Sequence, residues 1–331
     1  MCLMKKIKME KGQKQHYVPE VYLNNFSFDE VGNLYSVRIK PYFNNLRIKI
    51  SNKSSVCYKP NNYKFNQTEN REEKVKTDPN YIENNLFKYE NEFINSISEK
   101  INNNKNLNLL EAESLVRVLL SIKNRNHHFK KLFQGSKLIG IQLEKEIQKV
   151  RSSTIKYKIQ NPEKYEAIIS LIENELRKKI NDNSQMSDLF NDQLLRVEER
   201  KNSSQEWLIK EMCKSRFLVF STDDSKPFLT SDNPGFTVHE GDIIGNLFLG
   251  SAKAFAFPIS KTKLLVITPD DIDGNELLIK RIKYIETPEK FLRLSNKATI
   301  INTEERIFSN SKEYLEELMS EFDFKKNEYK K

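Results

Sequence analysis

His16 stands just before Tyr17-Val18-Pro19, and its imidazole titrates near neutral pH, so it can give or take a proton in a hydrolytic step. Far along the chain, Ser231-Asp232-Asn233-Pro234 interrupts an apolar stretch running from Phe228 to Val238. A hydroxyl, a carboxylate and an amide side by side could bind a metal, orient His16 or act as a base. The same residue types also build a plain Asp-Asn-Pro turn, with the carboxylate accepting backbone N–H groups. Arg125 can pair with a phosphate or close a helix C-terminus as a cation. His127 and His128 are adjacent, so on a helix they diverge by about 100° and share a site only where the helix ends. Glu83, Glu90 and Glu92 fall along one predicted helix; one could join Asp232 in a two-carboxylate metal site, or all three could be solvated helix charges. P-loop, Rossmann, H-E-x-x-H, EF-hand and G-x-S-x-G patterns do not occur.

These residues need elements to hold them. Pro19 favours extended backbone before it, and Tyr22, Leu23 and Phe26 then repeat at helical spacing, so His16 precedes an extended-to-helix junction. Leu34 to Ile39 alternates as a strand. Residues 41–78 read as a long Asn-rich loop with one short strand near Ser55-Val56-Cys57-Tyr58. Asp78-Pro79 opens a helix with an apolar stripe of Ile82, Leu86, Tyr89, Phe93 and Ile97. Asn108 and Glu111 form a capping-box pattern ahead of Leu115, Val118, Leu119 and Ile122. Further helices carry Leu143, Ile147 and Val150, then Tyr165, Ile169, Ile172 and Leu176, then the stretches 186–200 and 205–213. After Lys214 strands return: Phe217 to Phe220, the stretch around Asp232, and a hairpin of Phe255 to Ile259 with Leu264 to Ile267. Thr287-Pro288 opens a helix predicted to bury Phe291, Leu294 and Ala298; Ile307-Phe308 is a last strand, and Ser311 caps a final helix.

The predicted fold is α+β, a mostly antiparallel sheet built from N- and C-terminal segments with a large helical insertion at about 79–214. One domain spans 16–324, with a basic flexible arm at 1–15 and a basic tail at 325–331. Of 331 residues, 55 are Lys or Arg and 46 Asp or Glu, a net charge of +9 that suits a polyanionic partner. Richness in Lys, Asn and Ile with few Gly is also what an AT-rich genome produces. Cys2, Cys57 and Cys213 are too few and too scattered for a disulfide framework, which suits a reducing cytoplasm. No apolar run approaches the ~18 residues of a spanning helix.

Three stretches carry a family likeness: His16-Tyr17-Val18-Pro19 with Tyr22-Leu23 and Phe26, then Thr230-Ser231-Asp232-Asn233-Pro234, then Phe257-Pro258-Ile259-Ser260. In order and separation they resemble the bacterial family catalogued as domain of unknown function 4238, over about residues 15 to 310. The family tends to carry an Arg after its second long helix, where Arg125 stands, although Asn124, Asn126, His127 and His128 around it depart from that pattern. The resemblance implies a bacterial, cytoplasmic protein and no particular activity.

The residues and the charge together point to a hydrolase, a nuclease acting on DNA or RNA, with phage defence as a fitting role. His16, Asp232, Asn233 and Ser231 are its expected catalytic residues, and Arg125 and His127 its expected substrate-binding residues. A divalent metal is compatible with this chemistry, with no ligand set singled out. Nucleic acid and a protein encoded in the same operon are the expected partners, and no membrane. The alternative is a binding or sensor module without chemistry, in which the same motifs are structural.

Overall fold

Apolar runs on the strands and apolar stripes on the helices build this molecule around two sheets. The computed structural model describes residues 13–39, 47–66, 72–87, 90–135, 148, 151–152, 162–181, 183–240, 244–245, 252–269 and 279–321. The predicted arm at 1–12, the helix at Leu143 to Val150 apart from residue 148, and the basic tail lie outside the described residues.

Strand β1 (Lys14–His16) leads through Pro19 into helix α1 (Glu20–Asn24). Gln15, assigned to the arm from sequence, is instead fully buried in β1, its amide donating to Asn80 Oδ1 at 3.0 Å. β2 (Asn33–Arg38) and β3 (Ile48–Asn52) pair antiparallel, and β4 (Tyr58–Pro60) pairs with β1, placing His16 opposite Tyr58. The predicted loop over 41–78 thus holds two strands. Ile48-Lys49-Ile50-Ser51 does alternate apolar and polar residues, a strand signal set in Asn-rich sequence on both sides, and β3 itself is only partly covered.

Helix α2 (Glu73–Thr77) precedes Asp78, whose Oδ1 accepts the N–H of Asn80 at 2.9 Å, the predicted capping. Residues Ile82–Leu86 wind as a π-helix and α3 spans Glu90–Asn102; of the predicted stripe Ile82 and Ile97 are buried, and the side chains of Leu86, Tyr89 and Phe93 lie outside the described residues. β5 (Leu107–Asn108) runs into α4 (Leu109–Arg125), opened by the capping box of Asn108 and Glu111. α5 (His127–Gly135), α6 (Pro162–Asn181), α7 (Asn183–Glu198) and α8 (Ser203–Lys214) complete the helical middle.

The strands that follow are β6 (Arg216–Ser221), β7 (Thr230–Ser231), β8 (Phe236–Val238), β9 (Ile244–Gly245), β10 (Ala254–Ser260), β11 (Lys263–Thr268), β12 (Ile279–Lys280) and β13 (Ile282–Glu286). Helix α9 (Glu289–Asn302), β14 (Arg306–Ser309) and α10 (Lys312–Glu321) close the described chain. One sheet runs β13-β6-β11-β10-β8-β9, antiparallel except where β13 lies parallel to β6. Its central strands β10 and β11 are buried on both faces. Phe255, Phe257, Leu265 and Ile267 pack toward α3, α4 and α8, while Ala256, Leu264 and Val266 pack with residues of α9 and α10. That is why β10 and β11 read as continuous apolar runs in sequence. A second sheet, β3-β2-β14-β7, joins the first strands of the chain to the last one. The fold is α+β, and its N- and C-terminal strands share a sheet.

On α9 the buried face departs from prediction. Leu294 is exposed, whereas Leu292, Ser295, Asn296, Ala298 and Thr299 are buried. Asn296 explains the rotation: its Oδ1 accepts the Leu229 N–H and its Nδ2 donates to the Pro227 carbonyl, both at 2.9 Å. A face that holds a loop by hydrogen bonds has no need of an unbroken apolar stripe.

Candidate functional site

The Ser-Asp-Asn-Pro segment lies at the end of β7, entirely inside the molecule. Ser231, Asp232 and Asn233 are each 3 % exposed or less. Asp232 Oδ1 accepts the N–H of Glu304 at 3.0 Å, and Oδ2 accepts those of Glu305 and Arg306 at 2.7 and 3.2 Å. Burial pushes its carboxyl up to about 7, against the opposing pull of those three N–H groups. Ser231 Oγ accepts the Asn233 N–H at 3.1 Å. The Asn233 side chain accepts from Lys123 Nζ (2.9 Å) and Asn126 Nδ2 (2.7 Å), and donates to the Asn302 carbonyl (2.7 Å).

Lys123 reaches this segment from the buried face of α4. It is 3 % exposed and also donates to the carbonyls of Pro234 (3.1 Å) and Gly235 (2.5 Å). Burial holds its ammonium well below the ordinary lysine range. Gly235 has φ +75°, and a Cβ there would fall 2.3 Å from Phe257 Cδ2, so only glycine fits this turn. Sequence reasoning missed Lys123, yet a signal existed: Ala112, Val116, Leu119 and Lys123 repeat at four, three and four, all buried.

The three stretches noted in the sequence meet at this clamp. Tyr22 Oη lies 2.7 Å from Thr230 Oγ1 and donates to the Pro258 carbonyl at 2.9 Å, and its ring packs against Phe257. They converge, however, through Tyr22 and not through His16.

His16 borders a separate cleft of about 760 Å³, lined also by Glu20, Asn24, Lys53, Asn84 and Arg125; Ser231, Asp232, Asn233 and His127 do not line it. His16 Nε2 is 3.3 Å from Glu20 Oε1, and the Glu20 side chain is 41 % exposed. Burial lowers the His16 pKa, against the opposing field of Glu20, so the imidazole is neutral at pH 7. The Arg125 guanidinium lies over the Phe87 ring, 3.9 Å from its centroid. Lys53 Nζ donates to Asn24 Oδ1 at 2.6 Å. Glu20 went unnoticed in sequence because the spacing from His16 crosses a junction, where helical periodicity does not apply.

Arg125 and His127 are parted by Asn126, whose extended backbone (ψ 161°) ends α4 and restarts the chain as α5. Arg125 faces the cleft, whereas both ring nitrogens of His127 lie 2.9 Å from Lys59 Nζ. His128 Nδ1 pairs with Glu304 at 2.8 Å. Among the described residues no three His, Cys, Asp or Glu side chains gather as a metal site. Glu83 lines the cleft and does not meet Asp232 there.

A family model described as Protein of unknown function (DUF4238) matches residues 14–313. The chain belongs to that family. The DUF4238 match takes in the clamp, the cleft and both sheets. No curated protein and no solved structure matches the chain. Among the described residues, no helix is long and apolar enough to cross a membrane.

Proposed function

We propose that this chain is a hydrolase of phosphodiester bonds, a nuclease, working from the His16–Glu20 cleft. The observation that carries the reading is a neutral, half-buried imidazole 3.3 Å from an exposed carboxylate, beside Arg125 in the same cleft. Glu20 is the member open to solvent and takes the proton of an attacking water. His16 lies behind it, its buried Nε2 3.3 Å from Glu20 Oε1 and without a hydrogen-bond partner of its own. Lys53 offsets the charge of the phosphate as the phosphorus–oxygen bond breaks, Arg125, 1 % exposed, adds its positive field from the wall, and the leaving oxygen takes its proton from solvent. The cleft falls within the ~300–1,000 Å³ range of small-ligand sites. It therefore suits a nucleotide or the end of a single strand better than a duplex. The net charge of +9 supports a nucleic-acid substrate in the cytoplasm of a bacterium, with phage defence and an operon-encoded partner as the matching context. Ser231, Asp232 and Asn233 serve this reading as the clamp behind the site.

A second reading, a binding or sensor module, is favoured by one feature. In the cleft the cations Lys53 and Arg125 face Glu20 and Glu83, a near balance that suits a small polar ligand as well as a polyanion. Incubating the full chain with DNA and RNA, with Mg²⁺, with Mn²⁺ and without metal, tests the choice. Cleavage that Glu20→Gln and His16→Gln abolish without lowering the melting temperature supports the nuclease. Intact nucleic acid in every condition sinks it and leaves the binding module.

A further inference from the structure

Behind the β1–β4 ribbon lies a cluster of cations that the cleft does not include. Alternation along the ribbon turns His16 and Tyr58 to one face, their rings 5.6 Å apart, and Tyr17 and Lys59 to the other, where both meet His127. Lys59 Nζ sits 2.9 Å from each ring nitrogen of His127 and has no carboxylate within ion-pair distance among the described residues. Lys130, next but two along α5, is spent on uncharged oxygens: the Asn62 carbonyl and Oδ1 at 3.0 and 3.3 Å, and Ser187 Oγ at 3.1 Å. Lys131 pairs with Glu304, which His128 already holds, and Glu305 pairs with Arg38.

Three ammonium groups thus act on one imidazole, and the one carboxylate facing it, Glu304, is already held twice. Each cation feels the others. Burial and then Lys59 and Lys131 push His127 down to about 4, and burial and then Lys59 push Lys130 down to about 8. Burial, then Lys131, lowers Lys59 as well. Glu304 and Glu305 offset part of this repulsion at a distance, but neither is within ion-pair reach of Lys59 Nζ, so a bound anion there would lower the remainder. The site has directional donors too. Lysine ammoniums bind phosphate as compact point charges, and Lys59 lies against the His127 ring at the start of α5.

We propose that Lys59, His127 and Lys131 form a second anion site, taking a phosphate group between Lys59 and Lys131 against the His127 ring. It stands independently of the hydrolase reading, because neither Lys59 nor His127 lines the cleft. Two sources could supply the group: a free phosphate or mononucleotide, and the backbone of a single strand.

The test is to titrate the full chain, at constant ionic strength, with inorganic phosphate and separately with a short oligothymidylate. The His127 ring resonances, assigned from their loss in His127→Gln, are followed by NMR alongside the melting temperature. A bound dianion shields His127 from Lys59, Lys130 and Lys131 and adds to the field of Glu304, so the His127 pKa rises and the melting temperature increases. Lys59→Gln and Lys131→Gln weaken the response about tenfold or more, whereas Lys59→Arg keeps it and the remote Lys312→Gln leaves it unchanged. Response to phosphate alone assigns the free ion or mononucleotide; response to the oligonucleotide assigns the strand. An equal effect from chloride, no effect from either ligand, or a response that survives both glutamine variants overturns the site.

Discussion

The clamp at Asp232 and the cleft at His16 use the same residue types to opposite ends. At Asp232, Asn233 and Lys123, each side chain is buried and takes several hydrogen bonds, so the groups are fixed and water is excluded. At the border of the open cleft His16 meets Glu20, and Lys53 meets Asn24. The lesson is that a reactive residue type says little until its hydrogen-bonding capacity has been accounted for. A saturated carboxylate holds chain together, and an exposed one beside an imidazole can do chemistry.

The comparison breaks first, and most visibly, in the clamp. Asp232→Asn puts an amide N–H₂ where backbone N–H groups now find an acceptor, and Lys123→Ala leaves the buried Pro234 carbonyl without a donor while Asn233 Oδ1 and the Gly235 carbonyl each lose one of two. Each is expected to lose on the order of 3–5 kcal/mol in urea unfolding. A loss below about 1 kcal/mol for both would show the network to be incidental. Next in size is Gly235→Ala, at about 2–3 kcal/mol, since the new methyl strains a positive φ and overlaps Phe257.

A pH series sharpens the contrast further. Lys123 has a folded pKa held well below its unfolded value of about 10.4. Between those two values the unfolded chain binds the more protons, so this lysine's contribution to stability rises with pH through that window and levels off above it. The stability of the parent chain relative to Lys123→Met is therefore expected to increase from pH 7 to pH 10. A difference that stays flat with pH would mean that Lys123 titrates normally. The smallest stability effect belongs to the cleft: Glu20→Gln is expected to change unfolding free energy by less than ~0.5 kcal/mol while removing turnover. A large stability loss there would make Glu20 part of the framework and erase the distinction.

Much of this molecule could be read from its residues. The capping box at Asn108 and Glu111, the hairpin of β10 and β11, the Pro288 entry to α9 and the pairing of early with late strands all follow from local chemistry and from period. Local signals failed where polar residues took buried places. Leu294 faces outward because Asn296 turns inward to hold the Phe228–Leu229 loop. The chain order carried the expectation that the motifs around His16 and Asp232 share one pocket, whereas His16 lies in the β1–β4 ribbon and Asp232 follows β7 in another sheet, outside the His16 cleft. Which side chain of the first motif touches the second was settled only by folding. Tyr22 reaches Thr230 and Pro258, while His16 turns toward Glu20, because adjacent residues at a strand end point to opposite faces and the helix after Pro19 carries Tyr22 inward. Periodicity assigns a residue to a face; what lies across from that face is decided by contacts between segments hundreds of residues apart.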